Sequence, residues 1–170
     1  MDIRAARADD LGDISRIYRR YVLDSVVTFA EIPPDAASWR ARLDDAASSG
    51  LPFLVAHNDA ALAGYAYAKP WRAQQAYRYT VEESIYLAPW AVGRGVGRLL
   101  LDGLLARCRE VGVREVIAVI VDGDDPASFA LHHRCGFTEA GRLRGVGRKH
   151  GRDLDTVLLQ CRLADSTVLG

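Results

Sequence analysis

A chain of 170 residues that is 49% hydrophobic and 26% charged is long and apolar enough for one packed core, so a single domain over residues 1–170 is expected rather than a disordered tail or a two-domain assembly. Lys+Arg and Asp+Glu both number 22, and the resulting zero net charge lacks the basic excess by which nucleic-acid binders neutralise phosphates. Cys108, Cys135 and Cys161 are widely spaced and form no C-x-x-C, which argues against a disulfide frame or a zinc site and predicts structural thiols with no metal.

The opening MDIRAARADD has neither the basic nor the apolar region of a signal peptide. No apolar run approaches the roughly 18 residues of a membrane span, so no membrane partner and a cytoplasmic setting are expected. IRAA reads as a first strand. Asp9 or Asp10 can cap a helix running to about Val22, with Leu11, Ile14, Ile17, Tyr18 and Tyr21 at helical spacing. DAASWRARLDDAASS reads as a second helix, begun by Pro33 and Pro34 and stopped by Gly50. PFLVAH and ALAGYAYA flank Asn58 and Asp59 as a hairpin, and YRYTVEESIYL supplies a further strand. A helix from about Gly95 to Val111 buries Val96, Leu99, Leu100, Leu104, Leu105, Cys108 and Val111, with Gly112 as its stop. REVIAVIV is apolar enough for a strand covered on both faces. DDPASFALHHRCGF gives a short helix ending at Gly136, and FTEAGRLRG and LDTVLLQCRL give the last strands. The order β-α-α-β-β-β-α-β-α-β-β implies one mixed α/β sheet with helices on both faces.

The stretch VGRGVGRLLLDGLLARC places Gly93, Gly95 and Gly97 directly before that long helix. It is not a P-loop, which needs a Lys and a hydroxyl, nor G-x-G-x-x-G, because Arg98 stands at the last glycine's place. Glycines there let backbone amides approach a ligand, and the free N–H groups and dipole of a helix start favour a phosphate or diphosphate. Arg94 and Arg98 would reinforce such a site, although glycines serve a ligand-free turn equally well.

Val92 to Gly97 resembles the R/Q-x-x-G-x-G/A diphosphate-binding element of the GNAT superfamily of N-acetyltransferases, with Val92 where Gln or Arg is usual. GYAYAKPWRAQQAYRYTVEESIYL, AVIVDGDDPASFALHHRCGF and GVGRKHGRDLD further resemble the phosphinothricin N-acetyltransferase family, which includes enzymes acting on methionine sulfoximine and methionine sulfone. Thr80 to Tyr86 carries its most specific mark, T-V-E-x-S-[IV]-Y. The resemblance implies the acyl-CoA N-acyltransferase fold, a central mixed, mostly antiparallel sheet, and acetyl-CoA as cosubstrate. It also implies homodimers with the amine site near the interface. Acetyl transfer to a small amino-acid-like amine follows, as in antibiotic or herbicide resistance.

Such transfer needs a neutral amine, and a carboxylate in the cleft can take the ammonium proton. Thr80, Glu82, Ser84 and Tyr86 share one strand face, whereas Val81, Glu83, Ile85 and Leu87 share the other. By pattern Glu83 is the odder residue, a charge on an apolar face, and reads as a base, a salt-bridge partner or a strand-end residue. The resemblance maps the catalytic glutamate onto Glu82. It puts a backbone oxyanion donor near Ile85, Tyr86 and Leu87, and His132 at the place of the usual acid Tyr, either as acid to the thiolate or in a relay with Glu82. Val92, Gly93, Arg94, Gly95, Val96, Gly97 and Arg98 are assigned to the carrier, together with Ser128 and Asp125, the latter standing where the family has Asn against the pantetheine arm. His133 is read as a surface residue.

Phe29, Tyr67, Trp71, Tyr77 and Tyr79 are candidate walls for the amine or core aromatics, with Arg72, Arg78 and Lys149 for its carboxylate or phosphinate. Gln74 replaces a second basic residue of the phosphinothricin subgroup. A protein or peptide N-acetyltransferase and a non-catalytic acyl-CoA-binding regulator are the alternatives.

Overall fold

The computed structural model describes residues 1–58, 61–123 and 125–163, so Asp59 of the expected hairpin lies outside the described residues. Among them the elements follow the expected order: β1 (Asp2–Ala5), α1 (Leu11–Asp24), α2 (Ala36–Ser48), β2 (Phe53–His57), β3 (Leu62–Pro70), β4 (Thr80–Leu87), α3 (Val96–Glu110), β5 (Glu115–Asp122), α4 (Pro126–Arg134), β6 (Thr138–Lys149) and β7 (Arg152–Arg162). They build one sheet ordered β1-β2-β3-β4-β5-β7-β6. Every junction is antiparallel except β4–β5, which is parallel.

Ring contacts fix which helices lie on which face. Tyr18 of α1 meets Tyr86 edge-on at 4.8 Å, and Trp39 of α2 meets Tyr65 at 5.8 Å, so α1 and α2 cover the face carrying Tyr65 and Tyr86. On the opposite face α3 presses on β3 where Gly64 leaves room. A Cβ there would stand 2.6 Å from Leu87 Cδ2, 2.8 Å from the Tyr86 carbonyl oxygen and 3.2 Å from Leu100. Gly64→Val is therefore expected to cost about 1–3 kcal/mol through overpacking against a backbone atom that cannot move aside. A urea melt with an unchanged midpoint would contradict this.

Several boundaries differ from expectation for local reasons. Asp35, not the prolines before it, starts α2 by accepting the Ser38 N–H at 2.8 Å. Asp10 lies before α1 but gives that helix no side-chain cap, because its carboxylate holds Arg4 through two bonds of 2.8 Å. Tyr77 belongs to a 3-10 turn, Gln75–Tyr77, so β4 begins only at Thr80. In α3 Leu101 is buried along with the expected Val96, Leu100, Leu104, Leu105 and Cys108, whereas Leu99 and, just past the helix end, Val111 are exposed. The hairpin β6–β7 turns through His150 and Gly151, both at positive φ, and lengthens both strands beyond their apolar cores.

Strand β5 departs from the expected two-sided cover: Val119 is 37% exposed between buried Ala118 and Ile120. The register Glu82↔Ile117 puts Ile117 and Val119 on the Glu82 face, where α1 and α2 pack chiefly on β3 and β4.

Candidate active site

Parallel pairing of β4 with β5 runs from Thr80↔Glu115 to Glu83↔Ala118 and ends there. Beyond it the two strands separate, and a cleft of about 530 Å³ opens between Ser84–Leu87 on one side and Val119–Val121 on the other. This volume lies within the range of small-molecule sites. Past Glu83, β4 has no ladder partner on its β5 side, so its main-chain groups there face the cleft. Tyr21 donates its hydroxyl to the Leu87 carbonyl at 2.8 Å and holds that wall to α1.

The glycine turn closes one end. Gly93 (φ 75°) and Gly95 (φ 79°) occupy the left-handed region, and no neighbouring atom stands within 4 Å of a Cβ built on either. The first hydrogen bond of α3 runs from Leu99 N–H to the Gly95 carbonyl at 3.1 Å. The amides of Gly95, Val96, Gly97 and Arg98 therefore have no acceptor among the described residues, as the start of a helix requires. Of the residues expected at the carrier, Ile85, Tyr86, Leu87, Val92, Gly93, Gly95, Gly97, Arg98, Asp125 and Ser128 line the cleft. Val96 turns into the core instead, and Arg94 is exposed at the rim. Arg98 pairs with Asp102 at 3.3 Å. Asp125 caps α4 by accepting the Ala127 N–H at 2.9 Å.

The other wall is α4, and its site residue is His132, 2% exposed. Nδ1 donates to the Ser128 carbonyl at 2.7 Å, and Nε2 stands 2.8 Å from Glu83 Oε1. The relay of His132 with Glu82 is thereby corrected: the register puts Glu82 on the opposite face from the α3/α4 side, so Glu83 is the glutamate that faces the ring. Burial works against the imidazolium, but the bond and charge of Glu83 outweigh it and hold His132 above its ordinary value. Glu83 is 4% exposed, and its Oε2 has no hydrogen-bond partner among the described residues.

Glu82 does not line the cleft; its Oε1 lies 3.1 Å from Lys69 Nζ, the residue opposite it on β3. Ser84 and Tyr86, on the same face of β4, do line it, so the opening passes through the sheet from the α4 side toward the Glu82 side.

None of the eight residues expected around the amine lines this cleft. Phe29 packs with Val26, Val121 and Leu154, against Gly147, and Lys149 is 3% exposed with its ammonium donating to the Thr28 carbonyl at 2.7 Å. Burial pushes the Lys149 ammonium down, with Glu31 opposing. Phe29 adjoins the cleft at one remove, through Val121. Tyr67 stacks on Phe53 and Tyr65 and stands opposite Ser84. Trp71 lies under Arg72, while the exposed Tyr79 lies between Arg78 and Arg114, and Tyr77 is exposed beside them.

Sequence reasoning missed Tyr21, Val27, Ser84, Val119 and the α4 face of Ala127, Leu131 and Arg134. The spacing of that α4 face, three and four residues apart, marks one side of a helix and was the available signal.

A family model described as "Acetyltransferase (GNAT) family" matches residues 14–137. The chain is 48% identical over 158 residues to "Phosphinothricin N-acetyltransferase" of Alcaligenes faecalis, covering 93% of this chain and 80% of that protein. It is 38% identical over 162 residues to "L-methionine sulfoximine/L-methionine sulfone acetyltransferase" of Pseudomonas aeruginosa, covering 95% of this chain and 94% of that protein. Among solved structures, a GNAT superfamily phosphinothricin acetyltransferase from Sinorhizobium meliloti in complex with acetyl-CoA superposes with a TM-score of 0.92 at 44% identity, covering 99% of this chain and 91% of that one. The sheet that parts between β4 and β5 is thus the sheet of that family: the chain belongs to the GNAT acetyltransferases and is an N-acetyltransferase.

Proposed function

We propose that the chain moves the acetyl group of acetyl-CoA directly to the amino group of a small amino-acid-like substrate of the phosphinothricin, methionine sulfoximine or methionine sulfone type. The observation that carries this is the cleft itself: it begins at unpaired amides of a helix start and passes through the parted strands to the face that bears Glu82. Those amides suit a diphosphate. The pantetheine arm then runs along the open edge of β4 toward the point where the strands rejoin.

In this reading the amine approaches from the far face and Glu82 takes the ammonium proton. The nitrogen attacks the thioester carbon, and a β4 amide between Ile85 and Leu87 holds the oxyanion. His132 supplies the proton that the departing thiolate needs. Phe29, Tyr67, Trp71, Tyr77 and Tyr79 wall the amine, and Arg72 and Arg78 receive its acidic group. A homodimer completes this side, which the exposed apolar residues Leu143 and Val146 on β6 support. The three free cysteines support a reducing, cytoplasmic setting, and acetylation of such amines would confer resistance to them.

The test is thiol release from acetyl-CoA with phosphinothricin, methionine sulfoximine, methionine sulfone and a short peptide with a free N-terminus. Turnover with one or more of the three amino-acid analogues, well above the peptide, is expected. Turnover with the peptide alone would transfer the reading to a peptide N-acetyltransferase, and CoA binding with no turnover to a regulator.

A further inference from the structure

We propose that Glu83 is a positioning residue of the transfer: it holds His132 as an imidazolium at the inner end of the cleft, ready for the departing thiolate. This rests on the acetyl-transfer reading above. Glu83 and Ala118 are the last paired residues before the strands part, so Glu83 sits at the apex of the opening and lines it together with His132. Its Oε1 is 2.8 Å from Nε2, while Nδ1 is committed to the Ser128 carbonyl at 2.7 Å, so the ring can turn neither away from β4 nor toward solvent. The edge of Phe137, 5.0 Å away, packs the ring further.

A stabilising pair would saturate its carboxylate, since buried acceptors are almost always bonded, and an apolar replacement would usually serve stability as well. Among the described residues Glu83 instead leaves Oε2 without a partner on an otherwise apolar face, beside the cleft. The titratable group facing the pair is Cys108 from α3, whereas Tyr86 lies on the opposite face of β4 and senses Glu83 only through its charge. Burial first and Glu83's charge second push the Cys108 thiol up to about 12, and burial raises Tyr86. Both therefore stay neutral through the neutral range.

The step balances. As the tetrahedral intermediate collapses, the carbon–sulfur bond breaks with its electron pair on sulfur, and the Nε2 proton passes to that sulfur. His132 remains protonated on Nδ1 and recovers the Nε2 proton from solvent, while the new amide nitrogen sheds its extra proton. Ammonium plus acetyl-CoA gives amide, free thiol and one proton.

Glu83→Gln keeps the shape and removes the charge, leaving burial to lower the imidazolium unopposed. Its alkaline limb in kcat is expected to move down by about one pH unit or more, with kcat about tenfold lower on that limb and KM for acetyl-CoA within about twofold. Glu83→Asp should recover part of the limb. The His132 ring titration, followed by NMR, should fall with it and needs no turnover. Absence of turnover in the wild type would therefore reject acetyl transfer while the ring still reports on Glu83. An unmoved alkaline limb, or an unmoved ring titration, overturns the proposal.

Discussion

Replacing Glu82 by Gln is expected to lower kcat for amine acetylation by about 10²- to 10⁴-fold at neutral pH, the usual worth of a positioned proton acceptor, with acetyl-CoA affinity unchanged. An amino acid arrives as an ammonium, which has no lone pair to attack with, and Gln cannot take its proton. The variant should fold normally. Among the described residues Glu82 pairs only with Lys69, whose side chain is 50% exposed, and such a pair contributes about 0–1 kcal/mol. A loss of kcat without loss of thermal stability thus isolates the chemistry. Raising the pH should restore part of the turnover by supplying neutral amine from solution. Wild-type kcat in the variant would reject Glu82 as the base and direct attention to the carboxylate on the opposite face of the same strand.

The second large effect is expected on binding. Gly95 caps α3 with φ 79°, a region that a β-branched residue enters only at a cost of about 1–3 kcal/mol. Gly95→Val relieves the strain by rotating the adjoining peptides, which turns the amides of Val96 and Gly97 away from the cleft mouth. Acetyl-CoA is expected to bind about tenfold to a hundredfold more weakly, since each 1.4 kcal/mol of lost contact is about tenfold. Calorimetry with CoA measures it. The open space at this position means that the loss would come from the backbone, not from a side-chain clash. Equal affinity in wild type and variant would show that these amides do not hold the carrier.

The order of elements was legible because long apolar periodicities and turn residues agree locally with the final fold. Leu100, Leu104, Leu105 and Cys108 fall on the buried side of α3 as their spacing requires, and the reach of β4 through Thr80–Leu87 follows its alternation. The glycine turn was legible too, since Gly93 and Gly95 adopt the conformations for which glycine is needed. Other features depend on long-range pairing that a linear reading does not contain. Strand pairing stops after Glu83↔Ala118, and this alone makes the cleft, exposes Val119 and brings a helix histidine to a strand glutamate 49 residues away in sequence. Glu83 announced itself as a charge among Val81, Ile85 and Leu87, but its partner could be found only once α4 was seen to lie on that face. Lys149 was expected at the amine; it is instead buried against Thr28, because the lengthened β6 carries it back onto the loop that follows α1.

A structure of the protein with acetyl-CoA bound tests the central claim most directly. The diphosphate oxygens should lie about 2.7–3.2 Å from main-chain nitrogens between Gly93 and Arg98, with the thioester at the point where β4 and β5 part. A diphosphate bound elsewhere, or those nitrogens turned onto acceptors of the protein itself, would contradict it.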